Sequence, residues 1–168
     1  RSALAGAKAF GAPYAMMMFE LDAAALFDTA VESQGKIFVA TELGGGGTST
    51  PESMAITERG VRNFLIHYGL VRGEVEMPDE PQVYLDMPDA SCYVQSEHSG
   101  VLELCHALGE RVEKGEVVAR VYDMTRSGTA PVAYHAARSG VLAARRHPAL
   151  VNMGDTIAVI ADVVDSLD

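Results

Sequence analysis

The chain predicts an α/β region followed by an all-β module, and three observations carry that prediction. Helix and strand patterns alternate over residues 1–73. An acidic segment with two prolines, 74–81, interrupts them and reads as a linker. Over 82–168 short strands and turns succeed one another, and one block of sequence occurs twice. Alternation of the first kind argues for a parallel or mixed sheet with helical cover. Short strands in series argue for a sandwich or barrel.

In the first region, alanine-rich Ser2–Phe10 reads as a helix broken by Gly11-Ala12-Pro13. Tyr14–Phe19 reads as a strand of bulky residues. Its methionines, Met16, Met17 and Met18, suit a soft metal or a core, and a contiguous strand run points to core. Asp22 is expected to cap a helix reaching Gln34, with Ala25, Leu26, Thr29 and Ala30 on one face and Gly35 ending it. Lys36-Ile37-Phe38-Val39-Ala40 reads as a buried strand. Thr48-Ser49-Thr50-Pro51-Glu52 is a strong helix start, with a hydroxyl cap, a proline in the first turn and an acid near the positive end. Met54, Val61, Leu65 and Tyr68 come next at helical spacing, with His67 beside the stripe as a boundary residue. Two clear strands do not complete a sheet of this type, so its remainder is expected upstream of Arg1.

Glu42 is the residue that points to chemistry. It stands where the expected strand 36–40 gives way to Leu43 and then Gly44-Gly45-Gly46-Gly47. Strand ends in α/β folds face the crevice where ligands bind, and glycines let backbone pass close to a ligand. A carboxylate there reads either as a general base or as a solvated strand-end glutamate.

Composition narrows the function classes. A hydrophobic content of 48% in 168 residues supports packed cores. The formal charge of −10 argues against a nucleic-acid surface and against an anionic membrane face. Cys92 and Cys105 are too few for a disulfide framework and lack zinc-ribbon spacing, so they read as small buried hydrophobes. No run reaches the ~18 apolar residues of a transmembrane helix. A soluble cytoplasmic protein is expected.

Within the β module, strands are expected at Val83–Leu85, Cys92–Gln95, Val101–Leu104, Val117–Tyr122, Val132–Tyr134, Val141–Ala144 and Thr156–Ile160. Ser99-Gly100-Val101-Leu102 recurs as Ser139-Gly140-Val141-Leu142. Val112-Glu113-Lys114-Gly115-Glu116-Val117 recurs as Val151-Asn152-Met153-Gly154-Asp155-Thr156. Two such halves can cover each other's apolar face. The pattern resembles the biotinyl/lipoyl carrier fold, a barrel-sandwich hybrid. Carriers present a modified lysine between the halves, but Asp123–Pro131 has none, and Lys114 sits in the Gly115 turn. A swinging-arm carrier is therefore not expected.

The whole chain resembles the C-terminal half of the succinylglutamate desuccinylase/aspartoacylase family. The resemblance rests on Ala9–Pro13, Glu20-Leu21-Asp22, Gly35–Gly47, Arg59-Gly60-Val61-Arg62-Asn63 and His98-Ser99-Gly100-Val101. It implies the end of a zinc-carboxypeptidase-like sheet domain over 1–73, and it is nearest to deacetylases of ectoine degradation that act on N-acetyl-2,4-diaminobutyrate. It also implies a zinc-dependent amidohydrolase in which Glu42 is the catalytic carboxylate. The family's zinc ligands are a His-x-x-Glu pair and a later histidine. His67, His98, His106, His135 and His147 all lack a glutamate three residues on, so the zinc set is expected upstream and no metal ligand is assigned here. His98 and His106, near Cys105, make a weak metal pair beside the reading of surface positions. The substrate-binding residues stay unknown: Arg59 and Arg62 read as helix-surface charges, and neither Arg126 nor Tyr134 is favoured. The expected partner is a small-molecule N-acyl amino acid, with a homo-oligomer as a further expectation, and the open sheet edge predicts self-association or poor solubility of residues 1–73 on their own. The alternative is a noncatalytic binding module with a lipoyl-like fold.

Overall fold

The computed structural model describes residues 2–17 and 26–167. The chain divides into two compact units, Arg1–Tyr84 with Asp165–Asp168, and Leu85–Val164.

The first unit is organised around two helices. α1 (Ala3–Phe10) starts at Ser2, whose Oγ accepts from the Ala5 N–H at 3.3 Å, and ends at Gly11. α3 (Pro51–His67) has the sequence-predicted start: Thr50 and Ser53 form a reciprocal capping box, with Pro51 in the first turn. The two helices approach where each presents a glycine to the other's aromatics. A Cβ on Gly60 would lie 2.3 Å from the Phe10 ring, and one on Gly6 would lie 2.8 Å from Tyr68 Oη. Phe64 and Tyr68 pack with ring centroids 4.7 Å apart, and the Tyr68 hydroxyl donates to the Ser2 carbonyl.

That contact sets the face α3 buries. Gly60 and Asn63 are buried, whereas Met54 and Val61 of the expected stripe are 48% and 46% exposed. Counting apolar residues missed the true face because its centre is a glycine and an asparagine. Asn63 donates to the Glu76 carbonyl at 2.8 Å and accepts the Glu76 N–H at 2.9 Å. Segment 74–81, read as a linker, thus lies in the first unit and is held there by a two-way bond. Asn63→Ala is expected to cost about 1–3 kcal/mol, since both Glu76 groups lose their partner. Denaturant unfolding and faster amide exchange at Glu76 would show it.

β1 (Tyr14–Met17) pairs with β2 (Val83–Asp86), beginning with the Val83 N–H on the Pro13 carbonyl. Gln82 adds a side-chain bond to the Ala12 carbonyl. The expectation of core methionines is corrected here: Ala15 is the buried residue of β1, and Met16 and Met17 are 36% and 49% exposed. Met18, Phe19, the Glu20-Leu21-Asp22 motif, the Asp22 cap and Ala25 lie outside the described residues. α2 (Phe27–Glu32) has Leu26 at its start without a side-chain cap and buries none of its residues. The expected face with Leu26, Thr29 and Ala30 is therefore not a packed one.

Lys36–Ala40 is a second correction. It lies outside every strand among the described residues, and Ile37 is 38% exposed. A strand needs a neighbour that takes its N–H and C=O groups. No described segment pairs with it, although Phe38 packs edge-on against Phe27 at 5.6 Å.

The second unit gives the repeat a physical form. It contains β3 (Tyr93–Gln95), β4 (Gly100–Leu104), β5 (Arg111–Val112), β6 (Val117–Tyr122), β7 (Val132–His135), β8 (Gly140–Arg145), β9 (Leu150–Val151) and β10 (Thr156–Val164). All the strands expected in this stretch are present, and β5 and β9 are additional two-residue strands. One sheet runs β7-β6-β4-β9; in the other, β8 pairs with β5 and β10, and β10 with β3. The arrangement is two-fold in pattern, because β3, β4, β5 and β6 play the parts of β7, β8, β9 and β10. Each half contributes two strands to each sheet.

The turns repeat bond for bond. The Gly115 N–H donates to the Ala136 carbonyl and the Gly154 N–H to the Ser96 carbonyl. Glu116 accepts from the Glu113 N–H as Asp155 accepts from the Asn152 N–H. Ser139 Oγ takes the Lys114 N–H and Ser99 Oγ takes the Met153 N–H. Between the sheets Val112, Val118, Val121 and Leu102 of one half and their counterparts Val151, Ile157, Ile160 and Leu142 of the other are buried.

Candidate active site

Glu42 is solvent-exposed, in the stretch between the 36–40 segment and the glycine run. Among the described residues its carboxylate takes no hydrogen bond or ion pair, leaving both oxygens open to a proton donor. Gly44, Gly45, Gly46 and Gly47 have φ of 107°, 68°, 64° and 69°. Four successive left-handed residues turn the chain sharply in a way L side chains resist at about 1–2 kcal/mol per residue. The turn closes with the Thr48 N–H on the Gly45 carbonyl at 3.2 Å and leads into the Thr50 cap of α3. The sequence Glu-Leu-Gly-Gly-Gly-Gly-Thr thus places a carboxylate shortly before an anchored helix start, across backbone with no side chains to obstruct a ligand.

The structure gives His98 and His106 separate partners. His98 Nδ1 lies 2.8 Å from Tyr134 Oη. His106 sits between Glu110 and Glu116, at 3.4 Å and 3.7 Å, with its side chain 10% exposed. The Glu110 carboxyl is held below the usual carboxylate range by the Ala107 N–H, and next by the His106 ring. Its stabilising contribution is therefore present above the ordinary glutamate value and is lost as pH falls through the lowered one. No three His, Cys, Asp or Glu side chains among the described residues converge as a metal site.

Tyr134 serves the fold of the β unit. It is buried and its hydroxyl accepts from the Glu97 N–H at 3.0 Å, beside Ser96 Oγ, which donates to the His98 carbonyl at 2.6 Å. Sequence reading did not find this link between the halves; the serine two residues before His98 was its signal. Tyr134→Phe removes the acceptor for the Glu97 amide, with an expected loss of about 1–3 kcal/mol in unfolding free energy. Arg126 is exposed in the turn that Asp123 organises through Thr125. Arg59, expected as a surface charge, reaches the Gly11 carbonyl at 3.5 Å, and Arg62 is exposed. Cys92 is fully buried and Cys105 partly so, both as free thiols. No helix among the described residues is long and apolar enough to cross a membrane.

Compared with known proteins, residues 1–68 match the succinylglutamate desuccinylase/aspartoacylase catalytic domain. The chain is 80% identical over 167 residues to the N-alpha-acetyl-L-2,4-diaminobutyric acid deacetylase of Halomonas elongata, covering 99% of this chain and 49% of that protein. The product-bound ectoine utilization protein EutE (DoeB) of Ruegeria pomeroyi superposes with a TM-score of 0.90 at 45% identity, over 95% of this chain and 48% of that one. A succinylglutamate desuccinylase from Silicibacter sp. superposes with a TM-score of 0.89 at 49% identity, over 96% and 49%. The chain spans about half the length of each of these relatives.

Proposed function

We propose that the chain, whose residues 1–68 match the succinylglutamate desuccinylase/aspartoacylase catalytic domain, is the C-terminal half of a zinc-dependent, cytoplasmic amidohydrolase of that family. Its substrate is an N-acyl amino acid, N-acetyl-2,4-diaminobutyrate, and Glu42 is its general base and acid. The observation that carries the reading is 80% identity, over almost the entire chain, to a deacetylase of that compound. The domain division of the proposal is 1–73 for the end of the catalytic α/β domain, 74–81 for the connection and 82–168 for a β module of the barrel-sandwich type.

The described residues do not make a zinc site of their own. The proposal places the ligands in the other half of the full-length protein and gives this half the proton transfers. Glu42 accepts a proton from water as the water oxygen bonds to the acyl carbon. The same carboxyl then donates that proton to the amide nitrogen as the C–N bond breaks, because an amine leaves only when protonated. Its open position before four glycines supports this role, since the reacting atoms must come within hydrogen-bond reach of one carboxylate twice.

A noncatalytic lipoyl-like module is the weaker reading. The repeat supports the fold, but no lysine stands in Asp123–Pro131 where a carrier would present one. The test is hydrolysis by the full-length protein, read as acetate released from the N-acetyl substrates and succinate released from N-succinylglutamate. N-acetyl-2,4-diaminobutyrate is expected to react faster than N-acetylaspartate or N-succinylglutamate. Preference for either of those overturns the substrate assignment, and absence of all three activities overturns the enzyme reading.

A further inference from the structure

The two halves of the β unit differ at one place the repeat does not explain. In the first half, β4 pairs with β6 without interruption: Val101 with Tyr122, Leu102 with Val121, Glu103 with Arg120, Leu104 with Ala119. In the second half the matching ladder is broken. Leu142 pairs with Ile160 and Ala144 with Val159, leaving Ala143 as an extra, unpaired residue on β8. A bulge bends its strand and re-aims the side chains beyond it, at the expense of ladder bonds. The fold does not require it, since β4 does the same job unbulged.

The bulge leads into Arg145-Arg146-His147-Pro148, the most cationic stretch of a chain with a formal charge of −10. These four residues, with Ala144, Thr156, Ala158 and Val159, line a cavity of about 310 Å³. In the first half the register puts Leu104, Cys105 and His106 at the places of Arg145, Arg146 and His147, so both arginines replace nonbasic residues. Arg146 pairs with Asp155 through one terminal nitrogen at 3.0 Å, but its Nε is buried and has no hydrogen-bond partner. Among the described residues the Arg145 guanidinium makes no hydrogen bond or ion pair, and it is exposed. A buried guanidinium N–H left without an acceptor is costly.

We propose that this cavity is a binding site for a small monoanionic carboxylate, held by Arg145 and Arg146 with Thr156 as a further donor. The charge count selects the class. Asp155 offsets Arg146, so the two arginines and this aspartate together offer one net positive charge, which matches one carboxylate and underserves a phosphate dianion. The guanidinium fork matches the two carboxylate oxygens geometrically. The site lies wholly in the β unit and does not depend on the deacylase reading.

The test uses the full-length protein and tracks the arginine Nε–H signals by NMR while sodium acetate, and separately sodium phosphate, is added. The Arg146 Nε–H signal is expected to move saturably with acetate, and phosphate is expected to bind more weakly at equal concentration. Arg145→Gln is expected to weaken acetate binding about tenfold or more, the loss of one charge-assisted contact, with the unfolding midpoint unchanged because Arg145 is exposed. Arg145→Lys, which keeps the charge without the fork, is expected between the two. An Arg146 signal that ignores acetate, or one that moves equally in Arg145→Gln, overturns the proposal. Tighter binding of phosphate than of acetate overturns the carboxylate assignment.

Discussion

Glu42→Gln in the full-length protein is expected to lower kcat for acetate release by about 10²- to 10⁴-fold, the usual range for a lost general acid–base group. In barrier terms that is about 2.7–5.4 kcal/mol. Glutamine keeps the size of glutamate and one accepting oxygen, but its amide cannot take the proton from water. The substrate's own contacts are left in place, so KM is expected to change little by comparison. Because Glu42 is exposed and unpaired among the described residues, the substitution removes no packing. Loss of activity would then report chemistry rather than unfolding. A drop in kcat of less than about tenfold, below the range for such a group, would leave Glu42 as a solvated surface carboxylate.

The second large effect concerns the fold. Gly100→Ala and Gly140→Ala are each expected to destabilise the β unit by about 3 kcal/mol or more, the upper end of overpacking. Glycine to alanine within a strand ordinarily helps, by restricting the unfolded chain. Here the sign reverses. A Cβ at Gly100 would lie 2.2 Å from the Tyr122 carbonyl oxygen, and one at Gly140 would lie 2.3 Å from the Ala161 carbonyl oxygen. The obstacle is backbone of the paired strand, which cannot rotate away as a side chain can. The two glycines are repeat counterparts facing the same kind of obstacle, so similar losses are expected from denaturant unfolding of the two variants. A neutral or stabilising result at either position would contradict this account of why Ser-Gly occurs twice.

Legibility in the sequence tracked the range of the interactions. The cap at Thr50, the strands of the β unit and the repeat were readable because each is encoded within a few residues or in self-similarity. The face of α3 was misread because Gly60 and Asn63, which settle it, carry no hydrophobic signal; their partners Phe10 and Glu76 lie far away in sequence. Lys36–Ala40 has a strand's composition, yet composition cannot supply the neighbour a strand pairs with. The paired β5 and β9 are two residues long, too short for any period to register. The Arg145-Arg146-His147 run was visible, but its meaning depends on a bulge at Ala143 that only the register reveals. For Glu42 the sequence placed a carboxylate before the glycines, and the structure adds four left-handed residues and an unencumbered side chain.

The central claim is tested most directly by zinc content and acetate release measured on one sample each of the full-length protein and its Glu42→Gln variant. The account predicts about one zinc per chain in both, with acetate released from N-acetyl-2,4-diaminobutyrate by the parent and almost none by the variant. A variant that keeps its zinc and releases acetate at the parent rate would contradict the assignment of Glu42. A parent with neither zinc nor acetate release would contradict the amidohydrolase reading itself.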